Sequence, residues 1–388
     1  MNKQTIQQTD TIVTLPAPAP NPVIAVGGEL KNTMCVVEGG EARLTPVIDS
    51  LSDAGDYRRF TELLDRNVER YAGGPSLVVA HDLHPTYLST VAAQHVATRR
   101  SSVSCEVVQH HHAHIASCMA EHGVSRPVIG IACDGTGFGT DGAIWGCEVL
   151  FVTPARFRRC AALRYFPLPG GDAAARQTWR PALALARQAF GASLPADVRA
   201  IFGRVPGVEF DVVQGMLTGG LNCPETSSLG RLFDAVAFLT GVCDVNEQEG
   251  QAAIRLQEAA EDGLGEPYPF RLEQRDGVVR VATSGMIIDI CRDVSMGIAP
   301  RVIAARFHAT VAAMLSDAAL QGARAHGVDI VAVSGGCFYN RLLADRTEQL
   351  LHEGGISRVL RHERVSSGDA GLSLGQALVA IERGRNTN

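Results

Sequence analysis

The stretch VIGIACDGTGFGTDGAIWGCEVLFVT, Val128 to Thr153, decides the fold. Val128 to Cys133 is a short apolar run that reads as a buried strand, and Asp134 to Gly142 reads as a glycine-rich loop. Ala143 to Thr153 is again rich in strand formers, and a Pro-containing turn leads to a further strand at Phe157 to Leu163. Gly137, Gly139 and Gly142 formally spell G-x-G-x-x-G. A dinucleotide fingerprint must open a helix, however, and here a strand follows, so the loop belongs to a hairpin.

The same order occurs once upstream. Val23 to Val26 reads as a strand, GGELKN (Gly27 to Asn32) as a tight loop and Thr33 to Val37 as a second strand. EGGE then makes a hairpin turn before a third strand at Ala42 to Pro46. Two copies of strand, glycine loop, strand, turn, strand predict a duplicated α/β protein, with a nucleotide in the cleft between the copies. A further strand and loop pair lies at Asp329 to Val333 followed by SGGCFYNRLL (Ser334 to Leu343). There the glycines precede a helix, a position suited to binding phosphate through free N–H groups. Residues 173 to 261 are mostly helical in spacing, and Arg301 to His326 reads as one long amphipathic helix. Residues 1 to 22 end in LPAPAPNP and are expected to form a flexible, Pro-rich extended arm, with folding beginning after Pro22.

VQHHHAH, Val108 to His114, is the densest chemical signal in the chain. On a helix His110 and His114 share a face and can hold one metal ion through two imidazoles, while His111 and His112 point elsewhere. The plainer alternative is a polar helix start with incidental histidines. A zincin-type protease is disfavoured, because His111 stands where that motif needs Glu. Carboxylates in turns are the natural remaining ligands. Asp134, at the head of the glycine loop, and Asp369, in SSGDAGLSLG (Ser366 to Gly375), are the candidates; each alone also suits an ordinary turn or helix cap.

The chain has 388 residues, 46% of them hydrophobic and 20% charged, which excludes the disordered and membrane-spanning classes. The 35 Lys and Arg are outnumbered by 41 Asp and Glu, and no basic run appears, so nucleic acid is not expected as a partner. No signal peptide pattern is present, no apolar run is long enough to cross a membrane, and a cytoplasmic location is expected. The ten cysteines include no C-x-x-C pair and read as reduced, buried thiols, Cys337 among them.

GGELKNT, DLHPTYLST (Asp82 to Thr90), VQHHHAH, DGTG with GAIWG, LPGGDAAARQTWR (Leu168 to Arg180), SSLGRLFDAVA (Ser227 to Ala237), EGQAA (Glu249 to Ala253), SGGCFYNRLL and GDAGLSLGQ run in order along some nine-tenths of the chain. The series resembles the carbamoyltransferases of nickel–iron hydrogenase maturation, the HypF family. It covers only that family's carboxyl-terminal transfer domain, which is similar to the tRNA threonylcarbamoyl transferase TsaD. The acylphosphatase, zinc-finger and adenylating domains have no counterpart in these residues. The resemblance implies duplicated RNase H-like lobes of the actin and sugar kinase (ASKHA) type, with lobe I at 23–127 and lobe II, carrying a helical insertion, at 128–388.

It also implies a divalent metal (Fe, Zn, Mn or Mg) on His110, His114 and Asp369, with Asp134 at or beside it. Phosphate and nucleotide contacts fall on Gly135, Thr136, Gly230, Asp234, Gly335, Gly336 and Asn340. Asp134 and Lys31 are the catalytic candidates, Lys31 as a cation that neutralises a phosphate or carbamoyl oxygen, or else as a solvated surface lysine. The implied reaction passes a carbamoyl group, derived from carbamoyl phosphate and ATP through carbamoyl-adenylate, to the carboxyl-terminal cysteine thiol of a partner maturation protein. That thiocarboxamide then feeds synthesis of the cyanide ligands of the hydrogenase iron. Activation of carbamoyl phosphate on this chain alone, or by an adenylating domain from another chain, is left open, as is a homodimer. The alternative is a non-catalytic, regulatory module that binds nucleotide and metal.

Overall fold

Both copies of the strand pattern form sheets with the same core order in the computed structural model, which describes residues 10–71, 74, 76–260 and 265–385. The first half contributes β1 (Thr11–Thr14), β2 (Val23–Ala25), β3 (Leu30–Asn32), β4 (Cys35–Glu38), β5 (Glu41–Leu44), β6 (Ile48–Ser50), β7 (Leu77–Asp82) and β8 (Val103–Val108). Its main sheet runs β1-β5-β4-β2-β7-β8, and β3 pairs with β6 apart from it. The second half contributes β9 (Val128–Phe138), β10 (Ile144–Val152), β11 (Phe157–Leu163), β12 (Phe166–Pro167), β13 (Glu225–Thr226), β14 (Arg271–Arg275), β15 (Val278–Ala282), β16 (Ile330–Ser334) and β17 (Arg358–Leu360). These run β14-β15-β11-β10-β9-β16-β17, with β12 and β13 beside β10. In each half an antiparallel three-strand meander (β5-β4-β2, β11-β10-β9) is extended by two parallel strands (β7-β8, β16-β17).

Helices α1 (Ala54–Arg70) and α2 (Leu88–Arg99) cover the outer face of the first sheet, where Phe60, Leu64 and Val68 pack on Ile24 and Val79. The next helix, α3 (His110–Glu121), is buried from His110 to Ala120 on every side. An α-helix buried all round must lie between layers. The insertion between β12 and β14 holds α4 (Asp172–Arg176), α5 (Trp179–Phe190), α6 (Ala196–Ile201), α7 (Gly207–Gly219), α8 (Leu229–Leu239) and α9 (Gln251–Ala259). Then come α10 (Ser284–Ser295), α11 (Pro300–His326), α12 (Arg341–Glu353) and α13 (Leu372–Arg385). None of the described helices is long and apolar enough to cross a membrane.

The middle layer is exchanged between the halves. Helix α3 packs on β9, β10 and β16 of the second sheet, whereas α13, the last helix, packs on β2, β4, β5, β7 and β8 of the first. A division between residues 127 and 128 thus separates the sheets but not the helices that join them. The two helices cross so closely that a Cβ on Gly375 would lie 1.7 Å from the Ala113 carbonyl oxygen, which leaves glycine as the only residue that fits.

Three local expectations need correction. Residues 1–9 lie outside the described residues, but the arm beyond them is not free. Thr11–Thr14 pairs antiparallel with β5, and Val13 and Leu15 are buried, because two apolar side chains on an otherwise polar arm gain more from covering the sheet edge than from water. Asp134 to Phe138 continues β9 instead of looping, and the turn is confined to Gly139–Ala143. Two glycines of that strand face helix α3: a Cβ on Gly130 would meet the Ile115 side chain, and one on Gly137 the His111 ring, each at 2.5 Å. GGELKN, expected as a loop throughout, contains the short strand β3.

Candidate metal centre and phosphate cleft

The parallel strands β7 and β8 end side by side, and the chain turns from β8 directly into α3. The Gln109 side chain accepts the His112 N–H at 2.9 Å and so caps the helix start. At 3.6 residues per turn His110 and His114 stack on one face, with ring centroids 4.8 Å apart. Asp134 reaches them from β9. Asp369 reaches them from the short turn Asp369–Gly371 ahead of α13. The four residues each offer a ligand atom, and all four atoms lie within 4.8 Å of one another.

Within this group His114 Nε2 lies 2.9 Å from Asp134 Oδ2. His110 Nε2 is 3.8 Å from Asp134 Oδ2 and 3.7 Å from Asp369 Oδ1, is fully buried, and has no hydrogen-bond partner. An orphaned buried nitrogen among carboxylates is costly unless something positive lies between them. Electrostatics points the same way. Burial and the adjacent Asp134 charge push the Asp369 carboxyl up to about 7. Burial also works against charge on Asp134, but the adjacent His110 and His114 rings outweigh it and hold Asp134 well below the usual carboxylate range. Burial opposes charge on the His110 ring, but Asp82, Asp134 and Asp369 outweigh it and hold that ring well above its ordinary pKa. A divalent cation on two imidazoles and two carboxylates, a mixed nitrogen and oxygen donor set, would replace that proton and relieve both the repulsion and the orphaned nitrogen. The residues therefore fit a metal ion.

His111 and His112 take no part. Burial drives the His111 ring well below its ordinary pKa, and the neighbouring His110 and His114 add to the effect. His112 is pushed down to about 4 by burial, and its Nε2 meets the Thr153 carbonyl at 3.1 Å.

The phosphate candidates surround the same point. Gly335 follows β16 with φ 102, a left-handed conformation closed to most side chains, and a Cβ on it would strike the Cys133 carbonyl oxygen at 2.1 Å. The next residue, Gly336, sits so that a Cβ would be 3.1 Å from Asp134 Oδ1. Gly135 and the exposed Thr136 continue β9 past Asp134, and Gly230, in the first turn of α8, approaches the Gly135 backbone. Glycines from three elements thus bring backbone close together beside Asp134.

Three candidates behave differently from what the resemblance implies. Asp234 is 1% exposed, and its Oδ1 accepts from the Asn246 side chain, while Oδ2 lies 3.0 Å from Arg231 Nε without a hydrogen bond between them. Asn340 is buried as the cap of α12; its Oδ1 accepts the Leu343 N–H at 3.1 Å and its Nδ2 contacts His308 Nε2 at 2.8 Å. Lys31, at φ 46, pairs its Nζ with Glu249 Oε2 at 2.9 Å, bridging the first half to the insertion. Burial opposes its charge, but Glu249 outweighs that and the net shift is upward.

Residue spacing alone did not find Asp82, Arg231 or Glu249. Asp82, 0% exposed at the end of β7, meets His110 Nδ1 at 2.8 Å and so turns Nε2 toward the centre, as an oriented metal ligand requires. Its signal was the strand-ending Asp of DLHPTYLST. Arg231 lies over Gly135, its Nη2 3.9 Å from where a Cβ there would sit. The i, i+3 spacing of Arg231 and Asp234 was the available clue.

Fold and site together define a class: a duplicated α/β protein of the actin and sugar kinase type, with a cluster of two histidines and two aspartates that could hold a cation beside glycine-rich segments. Comparison with known proteins narrows it. Residues 18–121 match the HypF Kae1-like domain, and residues 130–376 match the second subdomain of the Kae1-like domain of the carbamoyltransferase. The chain belongs to the HypF carbamoyltransferase family. It is 40% identical over 382 residues to the "Carbamoyltransferase HypF homolog" of Cupriavidus necator, covering 95% of this chain and 94% of that protein. It is 33% identical to the HypF of Synechocystis, covering 95% of this chain but 48% of that one. Full-length HypF in a phosphate- and nucleotide-bound form superposes with a TM-score of 0.87 at 35% identity, over 96% of this chain and 48% of that chain. HypF of T. kodakarensis gives a TM-score of 0.86 at 30% identity, over 97% and 49%. Apart from the Cupriavidus homolog, this chain spans about half the length of these relatives.

Proposed function

We propose that this chain is the transfer component of a carbamoyltransferase in nickel–iron hydrogenase maturation, taking carbamoyl-adenylate and delivering the carbamoyl group to a partner protein's carboxyl-terminal cysteine. One observation carries the reading. Asp134 belongs to both subsites, its Oδ2 among the ligand atoms and its Oδ1 next to Gly336 of the phosphate loop.

His110, His114, Asp134 and Asp369 would hold the divalent cation. Bound there, it would supply Lewis acidity and an anchoring charge for phosphate oxygens. The protein's own part is orientation. The backbone at Gly336 and Thr136 lines the place of the adenylate phosphate, next to the Gly335 and Gly135 N–H groups that hold Ser367 and Asp134, and Arg231, beside Asp234, adds a guanidinium. Lys31 neutralises charge from the opposite half once it leaves Glu249. The partner's thiolate forms the new C–S bond to the carbamoyl carbon, the C–O bond to phosphate breaks, and AMP departs with the electron pair. Fixing the anhydride against the thiolate accounts for much of the rate gain.

The test mixes this chain, carbamoyl phosphate, ATP, a separately supplied adenylating domain and the partner, and reads the mass of the partner by intact-protein spectrometry. A gain of one carbamoyl group, lost in His110→Ala and His114→Ala proteins that remain folded, supports the reading; retention in either variant overturns the site. The half-length match to most relatives keeps the regulatory module as the second reading. ATP bound with no mass gain under these conditions would favour it.

A further inference from the structure

Parallel pairing of β16 with β17 sets Ala332 beside Leu360. Two residues further on, past the strand ends, Ser334 therefore faces His362, and Ser334 Oγ lies 2.9 Å from His362 Nε2. The other ring nitrogen, Nδ1, is 2.8 Å from Glu121 Oε2. Both side chains of the His362–Glu121 pair are almost wholly buried, at 3% and 2% exposure. Glu121 is the last residue of α3. Its second oxygen, Oε1, accepts the backbone N–H groups of Glu363, Arg364 and Val365. Burial opposes charge on this carboxylate, yet His362 and those N–H groups hold it down to about 2.

The three chain segments fastened by this chain of contacts all contribute to the site, beside β9, which brings Asp134. Glu121 ends the helix that begins with His110 and His114. Residues 363–365 lead into Asp369. Ser334 is the last residue before Gly335 and Gly336, and both its hydroxyl and the Gly335 N–H donate to the Ser367 carbonyl oxygen, at 3.2 and 2.8 Å. No other buried side-chain network among the described residues joins all three. Ser334 is 0% exposed, so the Ser–His–Glu order does not serve as a nucleophile relay.

The geometry points to Glu121, His362 and Ser334 as positioning residues that set the distance between the cation ligands and the phosphate loop. The inference rests on reading the cleft as a joint cation and phosphate site. His362 spans the gap between a helix end and a strand end, and it needs one group that donates to Glu121 and one that meets Ser334. Removing it lets the 362–369 segment, and with it Asp369, drift from the histidines, while Ser334 loses a partner that holds the phosphate loop.

The test titrates Mn2+ alone and ATP alone into the purified chain, following free Mn2+ by its paramagnetic resonance signal and ATP by calorimetry, with thermal midpoints recorded in parallel. His362→Ala is expected to weaken Mn2+ binding about 10- to 100-fold, as loss of an outer support for a metal ligand does. His362→Gln keeps one donor and one acceptor and is expected to recover most of that loss. Ser334→Ala, which leaves the Glu121 pair in place, is expected to weaken ATP binding about three- to tenfold with Mn2+ binding unchanged. Wild-type Mn2+ affinity in a folded His362→Ala protein overturns the proposal, as does equal loss in the Ala and Gln variants. If His362→Ala does not fold, wild-type ATP affinity in Ser334→Ala overturns it instead. Failure of the wild-type chain to bind Mn2+ or ATP overturns the cleft reading beneath, a result separable from the variant comparisons.

Discussion

The two halves share a strand order but use equivalent places differently. At the end of β7 in the first half, Asp82 meets an imidazole, His110, that begins just past the end of the neighbouring parallel strand. At the end of β16 in the second half, Ser334 meets His362 in the same relation to β17. One imidazole turns its free nitrogen to the cleft; the other has both nitrogens engaged in the interior. In the same way, the first strand of each meander is followed by a glycine segment, but one carries Lys31 and the other Asp134. Duplication supplied the frame, and opposite charges at matching places made a cleft that can hold a cation, an anion and the space between them.

The largest effect should come from the cleft-facing imidazole. His110→Ala removes one ligand and leaves Asp134 and Asp369 less neutralised. Carbamoyl transfer in the mass assay should fall at least about a thousandfold, the scale of several kcal/mol of charge stabilisation. An equal fall in His112→Ala would break the comparison, since His112 sits on the same helix but contacts Thr153.

Next comes the crossing that exchanges the halves' helices. Gly375→Val places a side chain where the Ala113 carbonyl oxygen already lies, so α13 must move off α3. Urea denaturation should show a loss of about 3 kcal/mol or more, and Mn2+ binding should fall with it because α3 and Asp369 flank that contact. A stable variant with intact metal binding would mean that the crossing does not set the site.

How much of this the sequence showed follows from where each residue's partner lies. The duplicated strands were legible because alternation and turns are local properties. His110 and His114 were legible as a pair because helical spacing is local too, whereas Asp134 and Asp369 were legible only as carboxylates in turns, each of which equally suited an ordinary cap. Asp82, Arg231 and Glu249 were not found, since nothing in their own segments says which distant group they face. Asp234 and Asn340, named as ligand contacts by their motifs, are buried and bonded to Asn246 and to His308 and Leu343; a motif fixes that a residue matters, not whether its side chain points to substrate or to the loop it props. The extended arm failed at Val13 for a similar reason, as the edge that it covers is formed by β5.

The interior strut offers a sharper, smaller test through acid. Glu121 titrates near 2 in the folded protein against an ordinary value of 4.5. A lowered folded-state value means that its contribution is full above the ordinary carboxylate range and is lost as pH falls from there toward 2. Urea unfolding at pH 6 and pH 3 should show the wild type losing about 2 kcal/mol more than Glu121→Gln, which has no proton to take up there. Equal losses would show that groups elsewhere carry the acid sensitivity and that the strut is electrically idle.

The smallest effect concerns the pair that spans the cleft. Lys31 and Glu249 are 35% and 65% exposed, so the ion pair contributes at most about 1 kcal/mol to stability. Its interest is that Lys31 cannot serve a phosphate while bound to Glu249. Glu249→Ala should therefore leave the thermal midpoint nearly unchanged and tighten ATP binding about two- to fivefold, and Lys31→Ala should weaken it by a similar factor, as expected for one partly solvated charge contact. The direction of the Glu249→Ala change is the decisive reading. Tightening makes Lys31 the first half's counterpart to Asp134, a charge of opposite sign released to the ligand. Weakening in both variants makes the pair itself the functional unit, a strap whose closure positions the insertion, and the two halves then meet the nucleotide through a contact that duplication did not supply.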